Sequence, residues 1–108
     1  MELAHEYVLV LVTCPAERAA EIARPLVEEK LAACVNIVPG LRSIYTWEGK
    51  ISDEPEALLL IKTRAALFEP LRARVLELHL YDVPEVIALP IVAGHPDYLR
   101  WVMESTRG

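Results

Sequence analysis

The sequence predicts an α+β sandwich: one four-stranded sheet carrying two helices, in the order βαββαβ, with an extra C-terminal helix. Three observations predict it. Strand-like and helix-like patterns alternate along the chain, two strand runs are free of proline while two contain one, and 108 residues make one domain.

The first strand is the unbroken β-branched and aliphatic run at 7–12, Tyr-Val-Leu-Val-Leu-Val. A run without polar alternation belongs to a strand covered on both faces, so this strand is central. A helix follows, with Cys14 as cap, Pro15 at its first position, and Ile22, Ala23, Leu26 and Val27 at helical spacing up to about Leu31. Pro25 removes one backbone bond within it and predicts a kink. The run 35–38 then leads into 41–48 and contains Pro39, which cannot donate to a ladder and so marks an edge strand. Glu48, Gly49 and Lys50 form the turn into the next strand, with Gly49 tolerating positive φ. The run 57–61, Ala-Leu-Leu-Leu-Ile, is the second central strand.

A second helix spans about 66–78, with Leu67, Leu71, Val75 and Leu78 on one face and Glu69, Arg72, Arg74 and Glu77 turned elsewhere. The run 86–91 contains Pro90 and is the other edge strand. A short last helix starts near Pro96, after Gly94 and His95, and carries Tyr98, Leu99 and Val102. This order is the ferredoxin-like βαββαβ arrangement, in which the first and third strands are central and the second and fourth are edges. The proline placement agrees with it.

In such a sandwich both main helices lie on one face of the sheet, yet the central strands are apolar on both sides. Another chain or the last helix must cover the bare face; that helix is short, which favours self-association. The segment 41–47 is long and aromatic, an edge that invites pairing with a second copy.

Composition excludes several function classes. A net charge of -5 argues against binding nucleic acid or anionic membranes, which requires excess Lys and Arg. No apolar run approaches the roughly 20 residues of a membrane span, and residues 1–6 lack signal-peptide features, so a cytoplasmic location is expected. Two cysteines are too few for a disulfide framework, and the topology places Cys14 and Cys34 at opposite ends of the sheet. Arg supplies 8 of the 11 basic residues, Gln is absent and Asn36 is the sole Asn, a bias of the kind found in thermostable proteins.

The segments 26–36, 45–51 and 81–91, with Thr13-Cys14-Pro15 and the closing 97–101, closely resemble the CutA divalent-cation-tolerance family across nearly the whole chain. The resemblance implies a homotrimer in which edge strands of neighbouring subunits continue one another's sheets, a shape shared with PII-type signalling trimers. It also implies a role in tolerance of copper or another divalent cation. The family's proposed copper ligands are a Cys just before the Thr-x-Pro motif and adjacent His residues before the Tyr of the Pro-rich loop. This chain has Val12 and Leu78 at two of those positions, Leu80 where a Pro is usual, and only His79 matching.

Candidate metal ligands are therefore His79, which closes the second helix and can bond a terminal carbonyl, and Cys14, at a helix start that favours thiolate. Cys34 reads as a small buried hydrophobe, and His5 and His95 as surface or capping residues. Strand directions bring Cys14, His79, the Tyr81-Asp82 loop and the Glu48–Lys50 turn to one end of the fold. Candidate ligand-binding residues there are Tyr45, Trp47, Glu48, Lys50, Tyr81, Asp82 and Glu85, with the two aromatics Tyr45 and Trp47 serving an interface or walling a cleft. Glu48, Lys50, Asp53, Glu54 and Glu56 read as solvated hairpin charges unless an adjacent subunit faces them. No Gly-rich phosphate loop, metal-finger spacing or Ser-His-Asp order appears, so no enzymatic activity is predicted. Two readings result: a trimeric metal-responsive or signalling module, and a PII-like trimer binding a small organic ligand or anion between subunits, with metal tolerance indirect.

Overall fold

The computed structural model describes residues 2–3 and 6–108; the expectation for His5 falls outside them. The elements are β1 (Glu2–Leu3), β2 (Tyr7–Cys14), α1 (Ala19–Glu28), β3 (Cys34–Trp47), β4 (Lys50–Arg64), α2 (Phe68–Leu78), β5 (Val86–Pro90), β6 (Ala93–Gly94) and α3 (Pro96–Ser105). The main sheet has the order β3-β4-β2-β5 and is antiparallel throughout. The two proline-free runs are its central strands and the two proline-bearing runs its edges, as the sequence predicts. The short strand β1 pairs with β6 outside this sheet and has no counterpart in the sequence reading.

Alternation along β2 sets two cores on opposite faces. Val8, Val10, Val12 and Cys14 point to one face, where they meet Ile22 and Leu26 of α1, Leu71 and Val75 of α2, and Leu59 and Ile61 of β4. Full burial of each such aliphatic side chain contributes about 1.5–3 kcal/mol, which is what holds the helical layer down. Tyr7 starts the other face, and with Ala33 it packs under Leu99 and Val102 of α3. The third helix thus covers only the end of that face where β2 begins. Farther along, Leu9, Leu11, Leu58 and Leu60 are half-buried, while Val38, Ile87 and Leu89 are exposed.

Local chemistry explains where the elements differ from the sequence reading. Helix α1 is preceded by a 3₁₀ turn at Ala16–Arg18 rather than capped by Cys14, whose side chain lies in the core. It runs through Pro25 and stops at Glu28, short of the expected Leu31. Lys30 adopts φ 61°, and the bonds Leu31 N–H to Leu26 C=O (2.9 Å) and Lys30 N–H to Val27 C=O (3.0 Å) complete a Schellman stop with Lys where glycine is usual. Helix α2 likewise begins at Phe68 after a 3₁₀ turn at Ala65–Leu67.

The β3–β4 ladder is interrupted between Val38 and Leu41, where Pro39 lacks a donor and Gly40 takes φ 80°. Beyond this bulge the two strands continue as an arm to Trp47 and Lys50, closed by the two-residue turn Glu48-Gly49 with both φ positive (49° and 77°). The arm makes the chain elongated, 44 × 26 × 22 Å, and leaves Ile44 and Ile51 65% and 74% exposed.

Candidate functional site

The site forms where the arm leaves the sheet and the loop from α2 to β5 folds back against it. Helix α2 ends at Leu78, whose carbonyl accepts from Arg18 Nη2 (3.1 Å), and His79 turns into extended backbone. The His79 side chain is 8% exposed and does not bond a terminal helix carbonyl, as the sequence reading allowed; its Nε2 lies 2.8 Å from the Thr13 carbonyl of β2. Thr13 lies one residue beyond the last β2–β5 pair, Val12 with Val86. The Tyr81 N–H donates to His79 Nδ1 at 3.2 Å, which fixes the tautomer: Nδ1 accepts, so Nε2 carries the proton and donates to Thr13. Both ring nitrogens are thereby committed to backbone partners, and the ring packs on Tyr81 with centroids 4.6 Å apart.

This clamp holds Tyr81 where its hydroxyl donates to Glu56 Oε2 at 2.9 Å. Glu56 corrects the sequence reading: it is 5% exposed, not a solvated hairpin charge, because the Tyr81 loop covers it. Burial and the Glu56 carboxylate push the Tyr81 phenol far above its ordinary range, so it stays a donor. Cys14 is fully buried in the helical core, and that burial, with nearby Glu56, pushes its thiol up. A thiol held protonated is a poor metal ligand and a poor nucleophile. The other cysteine, Cys34, begins β3 opposite Lys62, at the far end of the sheet from Cys14, which pairs with Ala57.

Between arm and loop lies an open cleft of about 660 Å³. Ser43, Tyr45 and Trp47, alternate residues sharing one face of the arm, form one wall; Leu80, Tyr81, Asp82, Val83 and Glu85 form the other; Thr13 and Glu56 lie between. Of the predicted ligand-binding residues, Tyr45, Trp47, Tyr81, Asp82 and Glu85 line the cleft, whereas Glu48 and Lys50 sit at the arm's tip outside the lining. His79 and Cys14 lie outside the lining as well, His79 supporting the loop from behind. The sequence reading missed Thr13, Ser43, Ile44, Glu56, Leu80 and Val83. Strand alternation from the Leu58 and Leu60 positions was the available signal for Glu56.

Three carboxylates, Glu56, Asp82 and Glu85, line the cleft and no Lys, Arg or His does. Among the described residues no three His, Cys, Asp or Glu side chains come together in a way that could hold a metal ion. What the walls offer is hydrogen-bond acceptors, two phenols, an indole and aliphatic surface. Among the described residues no helix is long and apolar enough to cross a membrane.

Comparison with known proteins places this geometry in a family. The model of the CutA1 divalent ion tolerance protein family matches residues 8–105. Protein CutA, chloroplastic, of Arabidopsis thaliana is 55% identical over 101 residues, which are 93% of this chain and 56% of that protein. The divalent-cation tolerance protein CutA of Thermus thermophilus is 54% identical over 99 residues, 91% of this chain and 96% of that one. This chain thus spans little more than half of the plant relative and nearly all of the bacterial one. The solved structure of the divalent cation tolerance protein from Thermus thermophilus superposes with a TM-score of 0.90 at 53% identity, covering 94% of this chain and 99% of that chain. On sequence and on fold alike, this chain belongs to the CutA1 divalent ion tolerance family.

Proposed function

We propose that this chain serves divalent-cation tolerance as a non-enzymatic homotrimer whose working site is the cleft between the β3–β4 arm and the Tyr81–Glu85 loop. The cleft itself carries the reading, because it joins two of the segments through which the chain resembles its family, 45–51 and 81–91, and is built around a buried carboxylate. The trimer is supported by the exposed apolar arm and by the uncovered sheet face carrying Val38, Ile87 and Leu89. Light scattering is expected to give three times the 12.1 kDa chain mass; a stable monomer contradicts it.

Two couplings to metal are open to such a trimer. In the first, copper or another divalent cation is bound directly through His79 and Cys14, which makes the trimer a metal-responsive module. In the second, the cleft takes a small organic ligand and metal tolerance is indirect. The bonding of His79 favours the second, since a metal would have to displace either Thr13 or Tyr81 from the ring. Copper titration and a thermal-shift screen of metabolites on wild type, Cys14→Ser, His79→Ala and Trp47→Ala decide between them. Loss of a metabolite shift in Trp47→Ala alone supports the cleft; stoichiometric copper binding lost in His79→Ala or Cys14→Ser supports the direct route. We place the chain in the cytoplasm, where its two free thiols stay reduced. The Arabidopsis relative is named for the chloroplast, so family membership alone sets no compartment.

A further inference from the structure

We infer that the cleft takes an organic polycation of the polyamine class, with ammonium centres separated by methylene segments. The inference rests on the proposal that the cleft is the working site, and it names the chemistry of the occupant.

Charge is the first argument. The lining carries Glu56, Asp82 and Glu85 without a basic side chain, and none of the three is in an ion pair with a described residue. Of the arm's two cations, Arg42 is held by Asp53 through two bonds of 2.8 and 2.7 Å and Lys50 sits at the tip, and neither lines the cleft. A partly enclosed wall of one sign repels anions and concentrates cations.

The spacing of those carboxylates is the second. They do not gather into a group that could coordinate one metal ion, so a point charge satisfies them poorly. A ligand with several separated positive centres meets them one at a time. Between them the walls are aromatic and aliphatic: Tyr45, Trp47 and Tyr81, with Ile44, Leu80 and Val83. Aromatic faces attract ammonium groups, and the aliphatic surface suits the methylenes that join them.

Glu56 is the third. One oxygen of this nearly buried carboxylate is held by Tyr81, while Oε1 takes no hydrogen bond from any described residue. A buried carboxylate with an open oxygen on a cavity wall is a preformed acceptor for an N–H donor. Tyr81, kept protonated, orients it.

Calorimetric titration with spermidine, a linear triamine, at near-physiological salt tests the inference, with citrate as an anion of similar size. Glu56→Gln retains an oxygen for the Tyr81 hydroxyl, and Asp82→Asn changes an exposed side chain, so both variants are expected to fold; circular dichroism and oligomer mass check this. Spermidine is expected to bind saturably, about tenfold more weakly to each of these variants and to Trp47→Ala, and unchanged to Glu104→Gln on exposed α3 surface. No spermidine binding, or binding indifferent to the cleft variants, overturns the inference. Citrate binding that Trp47→Ala abolishes also overturns it, while leaving the cleft as the working site. Indifference of every bound ligand to all the cleft variants removes the cleft reading as well.

Discussion

The Tyr81 hydroxyl reaches across 25 residues of sequence to donate to Glu56 Oε2 at 2.9 Å, tying the loop after α2 to the root of the β3–β4 arm. A hydrogen bond to a charged group contributes about 1.5–3 kcal/mol, with the low end apt for the partly exposed Tyr81 side chain. Tyr81→Phe is therefore expected to lower stability in chemical denaturation by roughly 1–2 kcal/mol. In a double-mutant cycle with Glu56→Ala, which removes the acceptor, the two losses should be strongly non-additive. Additive effects would mean the bond is absent in solution.

His79 clamps the same loop to β2. His79→Ala leaves the Thr13 carbonyl and the Tyr81 N–H without their partner and empties a buried site, at an expected cost of about 2–3 kcal/mol. The Tyr81 amide should then exchange with solvent faster than amides in β2 and β4, measured by hydrogen exchange. Unchanged protection at Tyr81 would show that the ring does not hold the loop.

Lys30 occupies the left-handed position at the end of α1, with φ 61°. An L-residue with a side chain is strained there by about 1 kcal/mol, so Lys30→Gly should raise the denaturation midpoint despite the greater freedom of glycine in the unfolded chain. A net gain of roughly 0.5 kcal/mol is expected. A loss would place Lys30 outside the left-handed region in solution.

Cys14 and Tyr81 contribute to the alkaline limb of stability, as does Tyr98, whose phenol burial also pushes up. Both titrate higher in the fold than unfolded, Cys14 by burial and then by Glu56, Tyr81 by burial and then by its Glu56 bond. Above the ordinary thiol range near pH 9 the unfolded chain therefore holds fewer protons than the folded one. The contribution of these two groups should be level below that pH and fall as pH rises past 9 and then 10; Cys14→Ala, freed of the thiol, should shift the onset upward. An onset identical in Cys14→Ala and wild type contradicts the assignment of the first step to Cys14.

The strands were readable because their sequences obey one rule each. Unbroken aliphatic runs belong between covered faces, and prolines belong on edges, which is enough to order the sheet. The stop of α1 was unreadable because Lys30 carries no sign that it adopts the left-handed conformation glycine normally supplies. For the same reason of context, Glu56 looked like one more charge in the polar stretch 52–56. Its burial depends on Tyr81, and the pose of Tyr81 depends on a ring 66 residues from Thr13, contacts that no local pattern encodes. Strand directions brought the loop and the arm to one end of the fold; of the metal-ligand candidates, the resemblance offered His79 and the helix start offered Cys14, and the fold buries both side chains.

If tolerance of divalent cations works through the cleft, changing the cleft alone must abolish it. The measurement is growth in rising copper of cells lacking their own family member and supplied with wild type, Glu56→Gln or Trp47→Ala, at matched protein level and oligomer mass. Wild type is expected to restore growth, and both cleft variants are expected to fail although folded and assembled. Full copper tolerance conferred by both variants would contradict a role for the cleft.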